Sequence, residues 1–173
     1  MANLAGMASL LKEMASDASG IAKQWDRLSP LPGGKRLFSR ILGVFVPYTG
    51  SIGADVDDLR KGFARVTLRD RRAVRNHLGS VHAIAMTNLV ELTGNLALLY
   101  SVPEGARMIV TQITTDYLKK GRGTLVAECA CPIPTSTERA EYDLEVNIKD
   151  RSGDIVARGT LRSLIGPKAK ALT

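Results

Sequence analysis

The spacing of apolar residues changes several times along this chain, and each change marks a predicted element. Leu4, Met7, Leu10, Leu11, Met14, Ala18, Ile21, Ala22 and Trp25 recur at helical intervals, which predicts an amphipathic helix. The run Ser29-Pro30-Leu31-Pro32-Gly33-Gly34 breaks it. A second, shorter helix is expected from Lys35 to about Val44, with Leu37, Ile41, Leu42 and Phe45 on one face. Pro47-Tyr48-Thr49-Gly50 ends that helix. Residues 1–46 therefore read as an N-terminal helical extension packed on a main domain, residues 47–173.

From Ile52 onward a period of two takes over. Ile52, Ala54 and Val56 alternate with polar residues, as do Ala64, Val66 and Leu68 with Arg65, Thr67 and Arg69. The β-branched stretch from Arg107 to Leu118 reads as a strand, and Leu125, Ala127, Cys129 and Cys131 share one face of the next. Tyr142, Leu144, Val146 and Ile148 alternate with Asp143, Glu145, Asn147 and Lys149. Ser152-Gly153 turns the chain into Ile155, Ala157, Gly159 and Leu161, with Arg158, Thr160 and Arg162 opposite. Between the second and third strands, Val81 to about Ser101 is apolar nearly all round, so it predicts one long buried helix. The order is two strands, a helix, then four strands. This is an α+β domain in which a mostly antiparallel sheet encloses the helix only by curling round it.

With 173 residues the chain has room for one domain with a substantial core. Its net charge of +7 favours an anionic partner: nucleic acid, an anionic membrane surface, or a phosphate-bearing small molecule. Arg69, Arg71, Arg72 and Arg75 cluster, but aromatic stacking residues are few and no nucleic-acid motif is present, so a nucleic-acid partner is not expected. Nor is stable membrane insertion. Val81 to Tyr100 holds His82, Thr87, Asn88, Glu91, Thr93 and Asn95, and Met1 to Gln24 is interrupted by Lys12, Glu13, Asp17 and Lys23, unlike a secretion signal. Cys129 and Cys131 are the only cysteines. They read as small buried hydrophobes in a reducing, cytoplasmic setting, too few for a metal site.

Candidate chemistry centres on the long helix. Glu91 is the only formal charge between Arg75 and Glu104 and sits at the helix middle. A carboxylate there is expensive to bury, and chemistry is one reason to keep it; a hidden salt bridge or strand hydrogen bond is the other. Ala83, Thr87 and Glu91 fall at i, i+4 and i+8, along one helix face, with Gly94 close by to admit a neighbouring backbone. Ser80 is expected to cap the helix, leaving the amides near His82 and Ala83 to meet an anion or an oxyanion.

The run Asn76-His77-Leu78-Gly79-Ser80-Val81-His82-Ala83, followed by Glu91, resembles the active-site segment of hotdog-fold acyl-CoA thioesterases of the phenylacetyl-CoA and 4-hydroxybenzoyl-CoA type. Fifteen residues separate Asn76 from Glu91 and nine separate His82 from it, matching that pattern. The ending Gly153-Asp154-Ile155-Val156-Ala157-Arg158-Gly159 resembles the last hairpin of the same family, and the likeness runs from about Ile52 to Gly166. It is also similar to an uncharacterised branch of the superfamily. The resemblance implies a hotdog fold and thioester hydrolysis without a cofactor. Glu91 would act as base or nucleophile, Asn76 would orient water or substrate, and the amide of Ala83, after His82, would hold the oxyanion. It further implies a site completed across a homodimer or homotetramer. Thr87 and Thr111 would touch the substrate. Arg158, Arg162, Lys168 and Lys170, with Lys119, Lys120 and Arg122, would meet the phosphates of coenzyme A. Two departures stand out: the family's His-Gly-Gly turn is His82-Ala83-Ile84 here, and Met108 occupies the place of a strand Ser or Thr, with Thr111 nearby. Two rivals remain. Hotdog dehydratases use a histidine about as far before a helix acid as His77 is before Glu91, although their His-Phe-Pro is His77-Leu78-Gly79 here. A hotdog dimer that binds acyl-CoA or lipid without catalysis is the other.

Overall fold

The computed structural model describes residues 18–168. Most of the first predicted helix and Lys170 lie outside the described residues. Four α-helices are described: α1 (Ala18–Leu28), α2 (Gly34–Phe45), the one-turn α3 (Pro47–Gly50) and α4 (Ala83–Leu99). Six strands accompany them: β1 (Asp55–Arg60), β2 (Phe63–Leu68), β3 (Ala106–Tyr117), β4 (Leu125–Ala130), β5 (Ala140–Lys149) and β6 (Ile155–Pro167).

The strands form one sheet in the order β1-β2-β4-β5-β6-β3, and every neighbouring pair is antiparallel. Its inner face is a row of fully buried side chains, among them Ala64, Val66 and Leu68 on β2, Leu144, Val146 and Ile148 on β5, and Leu161 and Ile165 on β6. α4 lies across this face and packs on β2, β4, β5, β6 and β3. A curved antiparallel sheet around one long helix is the hotdog fold. Two glycines set how close the layers come. A methyl on Gly159 would stand 2.3 Å from Val90, and one on Gly94 would stand 2.7 Å from Leu161. Gly94 thus admits side chains of β6 and β5 rather than a neighbouring backbone.

α4 is nevertheless not covered all round. Its buried residues leave a single row half-buried or exposed: Ala83 and Ile84, Thr87, Glu91, Asn95 and Leu99. The spacing of four makes this one stripe along the helix.

The helical layer differs in detail from the sequence expectation. α2 buries Phe38, Ile41 and Leu42, whereas Leu37 is 39% exposed. Phe38 rather than Leu37 shares the face because its ring meets Trp25 of α1 edge-on, 5.2 Å between centroids. The Tyr100 hydroxyl donates to Asp26 at 2.6 Å and ties α1 to the end of α4; burial and that carboxylate push the phenol up to about 12. Pro47-Tyr48-Thr49-Gly50 forms the one-turn α3 rather than a bare stop. β1 starts only at Asp55, since Gly53 takes a left-handed conformation, and a bulge between Val56 and Asp58 brings Leu59 inward.

Gly159→Ala should lower stability by about 1–3 kcal/mol, because Val90 is buried and has no room to retreat. Thermal denaturation of the two proteins measures the difference, and an unchanged midpoint would mean the helix and sheet can part freely.

Candidate active site

The segment before α4 is a tight turn. Arg75 pairs with Val81 in an isolated bridge, the Asn76 amide donates to the Ser80 carbonyl at 2.9 Å, and Gly79 between them has a positive φ. The side chain of Asn76 is built into this turn. Its Oδ1 accepts from the Leu78 amide at 2.9 Å, the Ser80 amide at 3.2 Å and the Ser80 hydroxyl at 3.2 Å. Only the Nδ2 donor of Asn76 is left for another partner. Ser80 is therefore not the helix cap: its hydroxyl is spent inside the turn, and His82 takes that place. His82 Nδ1 accepts from the Ile84 amide at 3.1 Å, and the His82 amide donates to the Val74 carbonyl at 2.8 Å. The Ala83 amide is left without an acceptor among the described residues, at the positive end of the helix.

Two loops hold this turn in place. The Val81 amide donates to the Gly121 carbonyl at 2.8 Å. Asp70 accepts from Arg75 Nε at 2.6 Å and from the Gly123 amide at 3.0 Å. The Arg75 guanidinium holds the Asp70 carboxyl below its usual range, partly opposed by burial.

Glu91 lies on the open stripe of α4, two turns beyond Ala83. It is half-buried rather than buried, and it makes no hydrogen bond or ion pair among the described residues. The hidden salt bridge weighed as its alternative explanation is thus missing within the described residues. Asn95, the next residue along the stripe, also has a buried Oδ1 without a partner.

One turn below Glu91, the stripe carries hydroxyls. Thr87 Oγ1 lies 2.7 Å from the Tyr117 hydroxyl and donates to Thr115 Oγ1 at 3.2 Å, while Tyr117 donates to the Ala83 carbonyl at 3.1 Å. Thr115 and Tyr117 are the strand hydroxyls that meet the helix. Thr111 is exposed, and its hydroxyl donates to the Arg162 carbonyl at 3.3 Å. The cause is a bulge between Val110 and Gln112. Met108 and Val110 face the core before it, and Ile113 does so after it, so the inward set slips by one residue at Thr111. The slip is legible afterwards, in the step of three from Val110 to Ile113.

Arg158 and Arg162 do not join this cluster. They stand on the outer face of β6, opposite the inward Ala157, Gly159 and Leu161. Arg162 grips Asp143 through two bonds of 2.7 and 2.9 Å, and Arg158 reaches Asn147 at 3.2 Å and Glu145 at 3.7 Å. Lys119 is paired with Asp150 and Asp154. Lys120 and Arg122 are exposed, form no ion pair among the described residues, and flank Gly121 beside the start of α4. His77 is exposed on the turn. Cys129 is buried, and burial pushes its thiol up to about 12, which leaves it a hydrophobe rather than a nucleophile.

Residues 34–165 match a family described as a domain of unknown function, DUF4442. The chain belongs to the DUF4442 family. Among solved structures, a structural-genomics protein, APC5556, is 29% identical with a TM-score of 0.74, the match covering 85% of this chain and 98% of that one. PA5026 of Pseudomonas aeruginosa, described as a protein of unknown function and probable thioesterase, is 22% identical with a TM-score of 0.69, covering 79% and 97%. The smu.793 protein of Streptococcus mutans UA159, solved bound to acetyl CoA, is 23% identical with a TM-score of 0.56, covering 68% and 91%. These likenesses place the DUF4442 chain in the hotdog fold. No curated protein matches it. No helix among its described residues is long and apolar enough to cross a membrane.

Asp70 makes the turn pH-sensitive. Its folded value is depressed, so its contribution is complete above the ordinary value of 3.8 and is lost as pH falls through the folded value. Asp70→Asn should lower the melting temperature at about pH 7 and have a smaller effect at about pH 3, where the wild-type carboxylate also begins to protonate. Equal effects at both values would show that charge plays no part.

Proposed function

We propose that this DUF4442 chain is a thioesterase-type hydrolase acting on acyl-CoA. One observation carries the reading: Glu91, a carboxylate without a partner among the described residues, lies on the stripe of the central helix that those residues leave open, two turns from an Ala83 amide that no described residue accepts from. Along an α-helix those eight residues span about 12 Å, and side chains lean toward the N-terminus, so the Glu91 carboxylate approaches the hydroxyls one turn below.

In this reading the thioester carbonyl oxygen lies at the Ala83 N–H, which stabilises the negative charge that develops there. Glu91 then takes a proton from water as the water attacks and passes it to the departing sulfur, or attacks the carbonyl itself to form an anhydride that water then cleaves to the free acid and the Glu91 carboxylate. In either route the C–S bond breaks, and coenzyme A leaves as the thiol, protonated by Glu91 in the first route and by water in the second. Thr115, next to Thr87, offers the strand hydroxyl that the resemblance to hotdog acyl-CoA thioesterases implies for water or substrate, in place of Thr111. Asn76 contributes through its Nδ2 donor. Lys120 and Arg122 supply cations for the phosphates of coenzyme A beside the helix start. Acyl-CoA binding without catalysis is favoured by one feature, the commitment of Asn76 Oδ1 to its own turn.

The chain acts as a homodimer at least. One sheet leaves the α4 stripe open, and β3, an edge strand, carries Ile109 at 63% exposure and Tyr117 at 46%. A second copy that covers both buries apolar surface and closes the site from water. Sedimentation at micromolar concentration should give a dimer or tetramer; a clean monomer would leave the site half built.

Glu91→Gln should cut thioester hydrolysis by about a hundredfold or more while leaving the melting temperature the same or higher. Free-thiol release and thermal melting on one preparation read both quantities. Full activity in a folded Glu91→Gln protein would remove the residue from the mechanism and favour the binding-only reading.

A further inference from the structure

Two cavities open between α4 and the helical layer, and neither has a role in the steps above. The smaller, about 250 Å3, is walled by Tyr48 of α3 and by His82, and floored by Ile84, Ala85 and Asn88 of α4. The larger, about 490 Å3, lies between α2, α3 and β1, with Leu92 of α4 as its floor. α3 thus contributes to both walls, Tyr48 to one and Thr49 with Gly50 to the other. It is pinned to the central helix by Asn88, which is buried and donates to the Tyr48 carbonyl at 3.2 Å.

Asn88 and Leu92 bracket Glu91 in the chain and lie about 60° and 100° round the helix from it. The smaller cavity begins at the start of α4, where the thioester would sit. The larger lies one turn further along the same helix, on the other side of α3, against β1 at the sheet edge. Its lining joins an apolar part, Leu42, Val44, Ala54, Val56 and Leu92, to a polar part, Ser39, Arg40, Thr49 and Asp55, and no aromatic side chain of the described residues lines it. The apolar part suits a flexible methylene chain, and the cavity gives an aromatic ring nothing to stack on. The close contact of Gly43 with Gly50, where a methyl on Gly50 would lie 2.2 Å from the Gly43 carbonyl, keeps α3 against α2 and fixes the cavity's far side.

We propose that the cavity between α2, α3 and β1 receives the aliphatic acyl chain of the substrate, so that the helical layer, together with the edge strand β1, sets chain-length preference. The inference rests on the thioesterase reading of the Glu91 site for its orientation, since the thioester is placed at the start of α4. Binding then strengthens with each methylene that leaves water, by about fourfold per group until the cavity is filled.

The test uses the full chain and the S-butyl, S-octyl and S-dodecyl thioethers of coenzyme A, which cannot be hydrolysed, with calorimetry as readout. Affinity should climb steeply from butyl to octyl. Val44→Trp and Ala54→Leu should each reduce the preference for S-dodecyl over S-butyl coenzyme A by at least tenfold. Val44 is 56% exposed at the rim, so its replacement leaves the core intact. An affinity that does not depend on chain length, or a preference unchanged in both folded variants, overturns the proposal. Hydrolysis of the matching thioesters is followed separately. Graded binding without hydrolysis sinks the thioesterase reading and supports the cavity, whereas hydrolysis with ungraded binding does the opposite.

Discussion

A long helix that is apolar on nearly every side has to be covered on every side, and one sheet is not wide enough to do it. The rest of the structure follows from that shortfall. The sheet wraps most of α4, and Gly159 and Gly94 let it come close. The helical layer covers a further sector through the Asn88 contact with α3. What remains is a stripe one residue wide, and Thr87, Glu91 and Asn95 lie along it. Hydrophobic burial, at about 25 cal/mol per Å2, acts everywhere else on the helix, so a polar group there has to find a partner: Thr93 donates to the Leu89 carbonyl and Asn88 to the Tyr48 carbonyl.

The outer face of the sheet follows a different rule. Its charges are matched in ladders: Arg65 and Lys149 on Glu128, Arg158 on Glu145, and Arg162 on Asp143. The two cations hold the Glu128 carboxyl below its usual range, Lys149 having the larger influence after allowance for burial. Exposed pairs of this kind stabilise little individually. They do neutralise the convex surface, so the chain's positive balance is not displayed there. The cations left over beside the start of α4, Lys120 and Arg122, then matter more than the total of +7 suggests.

Much of this was legible in the sequence, because a half-buried strand writes its facing into alternate residues. The order of strands and helix, the limits of α4 within a few residues, and Glu91 as its lone charge were all readable. Facing was readable for Arg158 and Arg162 too. They alternate with Ala157, Gly159 and Leu161, and that alternation already set them on the outer face, although family resemblance pointed elsewhere. What was hidden depends on contacts between distant segments. Ser80 looks like a cap until the Gly79 turn brings its hydroxyl to Asn76. Phe38 and Leu37 are equivalent by hydrophobicity, and only Trp25 chooses between them. Glu91 reads as buried because no local pattern records how much of a helix one sheet leaves bare.

The bulge at Thr111 bears on how this fold can vary over evolutionary time. It works as a phase shifter: one extra residue converts the inward set Met108 and Val110 into Ile113, Thr115 and Tyr117. Straightening the strand with every residue kept would turn Gln112, Thr114 and Asp116 toward α4 in their place. A carboxylate would then face the helix close to where Tyr117 now offers a neutral hydroxyl to Thr87 and Ala83. Loss of the bulged residue itself would restore strict alternation and leave Ile113, Thr115 and Tyr117 inward, so this edge strand can shorten by one residue at that point without inverting the polarity of the site, whereas it cannot straighten at constant length.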